Sequence, residues 1–195
     1  MNKLHSRTLL FLLPLLALIS LLSGCTAVVG AGATLGVAAV QERGIKGRAK
    51  DLQIEAGILE KFVKSGFSLT SAIGAEVYEG RVLLTGATTD TKIGDQALKI
   101  AWGVDGVNEV LNEIQVGKTF SFSNFAQDTW ITAQVKSKMT FDDKIFSINY
   151  VVETVNGTVY LIGIAQNSEE HNRAKQHAAQ VKFVRNVISH VRVKN

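Results

Sequence analysis

Glu79-Gly80-Arg81-Val82-Leu83-Leu84-Thr85-Gly86 returns 77 residues later as Asn156-Gly157-Thr158-Val159-Tyr160-Leu161-Ile162-Gly163. Each octet opens on a turn signal, runs through an apolar segment and closes on glycine. Asn-Gly is a strong type I′ hairpin signal, because both central residues of that turn need positive φ; Glu79-Gly80 holds the same place in the first copy. The octets are the centre of a longer, gap-free match. Ile54, Ile58 and Phe62 meet Ile131, Val135 and Met139, Ala97 and Ala101 meet Ala174 and Ala178, and Val104, Val107, Val110, Ile114 and Val116 meet Val181, Val184, Val187, Val191 and Val193. The matched positions are apolar or glycine, as a shared core requires.

Each copy reads alike. In the first, Ile54, Ile58 and Phe62 have helical spacing within residues 50–64. Two alternating segments, about 72–78 and 81–87, form a hairpin, with Val82 and Leu84 on one face and Arg81 and Leu83 on the other. A second helix over about 91–103 turns Ala97, Ile100 and Ala101 inward, with capping residues among Thr88 to Thr91. A last strand spans about 107–116. The order is α-β-β-α-β, and two helices can cover one face of a three-stranded mixed sheet. The expected class is α+β, with two tandem units. Each has about 70 residues, near the lower size for an independent core.

The chain has 195 residues, 46% hydrophobic and 19% charged, with net charge +4. That composition excludes a disordered chain, and so small a charge does not argue for nucleic acid. One cysteine, Cys25, excludes an internal disulfide. Lys3 and Arg7 precede an apolar run from Leu9 to Leu22, which is shorter than the ~20 residues a spanning helix needs and has the length of a signal-peptide core. The alternative is an uncleaved anchor helix running on through Val28 and Val29. Leu22-Ser23-Gly24-Cys25 resembles the bacterial lipobox, which implies acylation of the Cys25 thiol and cleavage before it. Thr26, where an aspartate would resemble an inner-membrane retention signal, points to the outer membrane, with acyl chains as the anchor. The expected divisions are a leader over 1–24, a lipidated Gly/Ala-rich tether over 25–45, units over 46–117 and 127–195, and a linker over 118–126. The tether reads equally as a spacer, a membrane-surface segment or a short apolar helix.

The two octets, together with Gly103-Val104-Asp105-Gly106-Val107, resemble the BON domain, a module of bacterial periplasmic and lipid-binding proteins. Copy two departs from the second motif, with Gln180 and Phe183 in place of Gly103 and Gly106. With the lipobox and Asp128-Thr129-Trp130-Ile131-Thr132, the resemblance extends to lipoproteins carrying two BON units. It implies an outer-membrane protein facing the periplasm that binds anionic phospholipid (phosphatidylglycerol or cardiolipin) through the first helix of the second unit. It also implies gathering at the division site and support of envelope integrity.

The repeat supplies an internal control. On the first helix of copy two, Trp130, Gln134, Ser137 and Phe141 fall within about 60° of one another, beside the core stripe. Their counterparts are Gln53, Gly57, Glu60 and Lys64. Tryptophan suits the headgroup level of a bilayer, where its ring is buried and its N–H stays wet. Lys136, Lys138 and Thr140 lie between these residues and join them as candidate phospholipid contacts. Residues 46–118 hold nine Lys/Arg and ten Asp/Glu, whereas residues 126–195 hold nine and six. Near an anionic surface each cation is worth ~1 kcal/mol. The alternative packs Trp130 and Phe141 against copy one or the linker, where Phe120, Phe122 and Phe125 would dock the units together.

No enzymatic pattern is present. His171, His177 and His190 fit no zinc spacing, Asp142-Asp143 reads as a helix-ending turn, and there is no nucleophile elbow or Walker-type loop. No metal or cofactor is expected. The competing functional reading is a lipid-anchored adaptor whose apolar face binds envelope proteins such as the outer-membrane protein assembly machinery.

Overall fold

A computed structural model describes residues 40–118 and 121–194. The leader, Cys25 and most of the tether lie outside the described residues. Residues 37–195 form one compact unit. Its three apolar clusters draw only on residues between Ile54 and Val193, so the fragment carries its own cores.

Copy one consists of α1 (Gly44–Ser65), α2 (Phe67–Ala72), β1 (Ile73–Tyr78), β2 (Arg81–Thr88), α3 (Thr91–Trp102) and β3 (Glu109–Val116). Copy two consists of α4 (Phe122–Thr140), a 3₁₀ turn (Ser147–Asn149), β4 (Tyr150–Val155), β5 (Thr158–Ala165), α5 (Ser168–Ala179) and β6 (Asn186–Val193). Each sheet has three strands with the middle one central, antiparallel to the first and parallel to the last. Three elements differ from the sequence reading, one of them α4, which begins at Phe122 inside the expected linker 118–126. α1 begins at Gly44 instead of about residue 50, and α2 fills what reads as a loop.

The second helix of each domain starts on a capping side chain. Asp90 accepts from Lys92 N ahead of α3, and its repeat equivalent Asn167 accepts from Glu170 N ahead of α5. Helices and sheet close each core. Ile54, Ile58 and Phe62 meet Val82, Leu84, Ala97 and Ala101 in copy one; Ile131, Val135 and Met139 meet Val159, Leu161, Ala174 and Ala178 in copy two. The paired alanines let α3 and α5 lie close to their sheets.

Both hairpin turns hold two consecutive residues at positive φ: Glu79 at 53° and Gly80 at 72°, Asn156 at 50° and Gly157 at 75°. That is the type I′ geometry. Each turn is locked by a buried aspartate one domain-helix away. Asp51 accepts from Glu79 N and Gly80 N, both at 2.9 Å. Asp128, its repeat equivalent, accepts from Asn156 N at 2.7 Å and Gly157 N at 2.8 Å. Arg43 pairs with Asp51 at 2.8 Å and lies over the Tyr78 ring. At the far end of the hairpin, Gly86 and Gly163 are needed for close approach: a Cβ would sit 2.1 Å from Ala72 O and 2.0 Å from Asn149 O.

The sheet faces turned away from the helices meet one another. Tyr78, Leu83, Tyr160 and Ile162 form a third buried cluster, packed by Leu111, Val151, Val155, Ile164 and Ile188. At roughly 2 kcal/mol each, these four outweigh the exposed ion pairs at its rim, worth about 0–1 kcal/mol apiece. Arg81 donates to His190 O at 2.8 Å, Gln115 donates to Val155 O and Tyr160 Oη at 3.1 Å, and His190 Nε2 lies 2.8 Å from Glu113 Oε1. Glu113 and His190 are repeat equivalents, so the copies meet with approximate two-fold symmetry. The units therefore dock through their sheets. Phe125 is 55% exposed and lines a groove between the copies, while Phe120 and the Phe122 side chain lie outside the described residues.

Removing one turn lock strands two backbone donors. Asp128→Ala is expected to cost about 3 kcal/mol, and Leu83→Ala, in the shared cluster, about 3 kcal/mol. Urea unfolding of residues 37–195 measures both; a loss under about 0.5 kcal/mol for either contradicts the role given to that residue.

Candidate functional site

The sequence singles out a face of α4, and the helix presents most of it outward. The core stripe Ile131, Val135 and Met139 is fully buried, which fixes the rotation of the helix. Trp130 is 43% exposed and Phe141 87% exposed. Ser137, Lys138 and Thr140 are also exposed, and Gln134 is half-buried. Eleven residues separate Trp130 from Phe141, a span of roughly 16 Å along the helix. Phe141 caps the helix end, and the next residue pins it there. Asp142 accepts from Lys144 N, Arg173 and His177. The His177 hydrogen bond, then that from Lys144 N, holds its carboxyl down at about 2.

Lys136 separates from the group. It lies about 120° around the helix from Trp130, lining a groove between the copies and interacting with Glu153 and Glu76. Trp130 makes its ring contact within its own copy. Its ring meets Phe183 of its own copy, edge to face, with centroids 6.0 Å apart. Phe183 stands in the turn before β6, is 49% exposed, and has φ of 71°. Gly106, its equivalent, has φ of 92°. The left-handed turn therefore survives the loss of glycine. Gly103 and Gln180, at φ −86° and −83°, show that the other departed position never required glycine. Lys182 Nζ lies 4.7 Å from the Phe183 ring centroid.

In copy one, the equivalents of Trp130, Gln134 and Ser137, which are Gln53, Gly57 and Glu60, line an open cleft of about 440 Å³ together with Lys61, Gly103 and Asp105. No helix among the described residues is long and apolar enough to cross a membrane. Among those residues, no group of three or more His, Cys, Asp or Glu side chains is placed to hold a metal.

Residues 50–118 and 127–195 each match the BON domain. The chain belongs to the BON domain family. It is 36% identical over 174 residues to the outer membrane lipoprotein DolP of Haemophilus influenzae, covering 86% of this chain and 87% of that one. It is 42% identical over 144 residues to an uncharacterized protein in the gshII 5′ region of Anaplasma centrale, covering 72% and 95%. It is 30% identical over 152 residues to the 21 kDa hemolysin of Actinobacillus pleuropneumoniae, covering 75% and 78%. This is a DolP-like chain with two BON domains.

Between the two BON domains lies a groove of about 470 Å³, with Gly74, Thr85 and Gly86 on one side and Phe125, Lys136 and Glu153 on the other. Glu76 is the repeat equivalent of Glu153, and the charge of Glu153 acts on it. Burial first, then the charges of Glu153 and Glu55, push Glu76 up to about 7. Burial raises Glu153 too, with Lys136 opposing. The sequence reading gives no role to Asp51, Asp128, Glu76 or Phe183, although Asp128 and Phe183 stand in the motifs it quotes. For the first two a signal existed, since a shared aspartate is a polar identity inside an apolar match.

A carboxyl whose folded pKa lies above its unfolded value costs stability as pH rises from about 4.5 through 7. Glu76→Gln is therefore expected to raise Tm by a few degrees at pH 8 and to leave it unchanged at pH 4.5. Thermal melts at the two pH values check this; equal effects at both would refute it.

Proposed function

We propose that this protein is an outer-membrane lipoprotein, anchored by acyl chains on Cys25 and facing the periplasm, whose second BON domain binds anionic phospholipid through α4. On this reading it supports outer-membrane integrity, including at the division site, and it binds rather than catalyses. Its partners are the membrane itself and lipids such as phosphatidylglycerol or cardiolipin.

One observation carries the reading. Trp130 stands half-exposed beside a buried core stripe, on the helix where copy one carries Gln53. An indole held at a surface suits the headgroup layer, where the ring gains burial and the N–H keeps its water. The cations of copy two, and the similarity to a protein named as an outer membrane lipoprotein, support it further. Acyl chains bring the domain to the surface, so a modest intrinsic affinity suffices.

Two experiments test the two halves. Cys25→Ala is expected to abolish incorporation of labelled palmitate into the full chain expressed in bacteria; retained label refutes the anchor. In an NMR titration of residues 37–195, phosphatidylglycerol micelles are expected to shift resonances around residues 130–141, and zwitterionic micelles to leave them unchanged. Trp130→Glu is expected to weaken that binding at least tenfold. Unaltered spectra with both micelles would sink the lipid-binding half and favour the adaptor, with the same face as a protein interface.

A further inference from the structure

Phenylalanine is a costly occupant of the turn before β6. A bulky side chain at φ of 71° is a backbone outlier, and its ring is left half in solvent instead of in a core. Copy one makes the same turn with Gly106, at no such cost. A strained residue whose ring is half in solvent, and whose ring partner Trp130 is itself half-exposed, points to a role outside the fold.

The differences between the copies at this place change both shape and charge; Phe141 replaces the cation Lys64, while five further positions move the other way in charge or gain rings. Trp130, Ser137, Lys182, Phe183 and Arg185 stand where copy one has Gln53, Glu60, Asp105, Gly106 and Asn108. Two acids are lost, two cations appear, and a cleft becomes a pair of touching aromatic rings with an ammonium beside them.

We infer that the turn Val181–Arg185 is a second membrane contact of copy two, with Phe183 entering the anionic bilayer beside Trp130 while Lys182 and Arg185 meet lipid phosphates. The inference rests on the reading of α4 as lipid-facing, and extends that face from one helix to a helix and a turn on separate elements. Two apolar points joined edge to face, flanked by cations and by Lys138, complement a surface with an apolar interior and a negative skin. The ring pair also holds the two elements in register, so insertion requires no rearrangement.

The test is co-sedimentation of residues 37–195 with vesicles of mixed phosphatidylglycerol and phosphatidylcholine, and with phosphatidylcholine alone. Phe183→Gly, which restores the copy-one turn, is expected to weaken binding to the mixed vesicles about tenfold, with Tm at or above that of the unaltered protein. Phe183→Asn keeps the left-handed turn without the ring and is expected to lose as much. Lys182→Asp, the copy-one charge, is expected to weaken binding about fivefold to tenfold. If all three bind as the unaltered protein does while Trp130→Glu does not, α4 acts alone and this inference falls, leaving the reading of α4 in place. If Trp130→Glu also binds normally, both fall. Displacement by soluble glycerol phosphate would mean a headgroup pocket instead of a membrane contact, and would also overturn it.

Discussion

A three-stranded sheet with helices on one side leaves its other side to be covered, and here each copy covers the other. Leu83 and Tyr78 of one sheet meet Tyr160 and Ile162 of its repeat, and the burial is complete. Much of the remaining architecture follows. The sheets stand back to back, the helices lie on the outer sides, and α4 is left with one stripe in its core and another facing outward. Neither copy has a large core, and the shared cluster gives each an apolar contact that a domain of about 70 residues lacks alone. Because the equivalent positions Glu113 and His190 meet, the tandem repeat behaves as a fused two-fold dimer.

The repeat made the inner half of this arrangement legible. Helical spacing at Ile54, Ile58 and Phe62, the Asn156-Gly157 turn and the alanines at 97, 101, 174 and 178 all have local causes, and the fold keeps them. The outer half was harder to read. Val82-Leu83-Leu84 and Val159-Tyr160-Leu161-Ile162 are continuous apolar runs, which signal burial on both faces; an alternating reading hides the interface between the sheets. α2 was missed because Ser68, Thr70 and Ser71 are neutral in a helix and its one buried residue, Leu69, gives no periodicity. Proximity in sequence groups Lys136 with Trp130, although helix geometry sets them on different sides of α4.

Repetition also separates what the fold needs from what one copy has gained. Asp51 and Asp128 lock the same turn, and Gly86 and Gly163 allow the same close approach; these are requirements of the fold. Gly106 against Phe183 is different in kind. The backbone is left-handed in both, so the fold is indifferent to the side chain only if the cost of a bulky one is offset elsewhere. Trp130, Phe141 and Phe183 are likewise exposed where copy one is polar or small, and no core in copy two depends on them.

The account depends most on the two sheets holding the repeats as one body. The direct measurement is backbone ¹⁵N relaxation across residues 40–118 and 121–194 in the free fragment, analysed for rotational diffusion. A single diffusion tensor fitting both repeats is the predicted result. Two tensors, each with the faster tumbling of a lone 70-residue domain, would contradict it, because the shared cluster of Tyr78, Leu83, Tyr160 and Ile162 would then not be holding the sheets together.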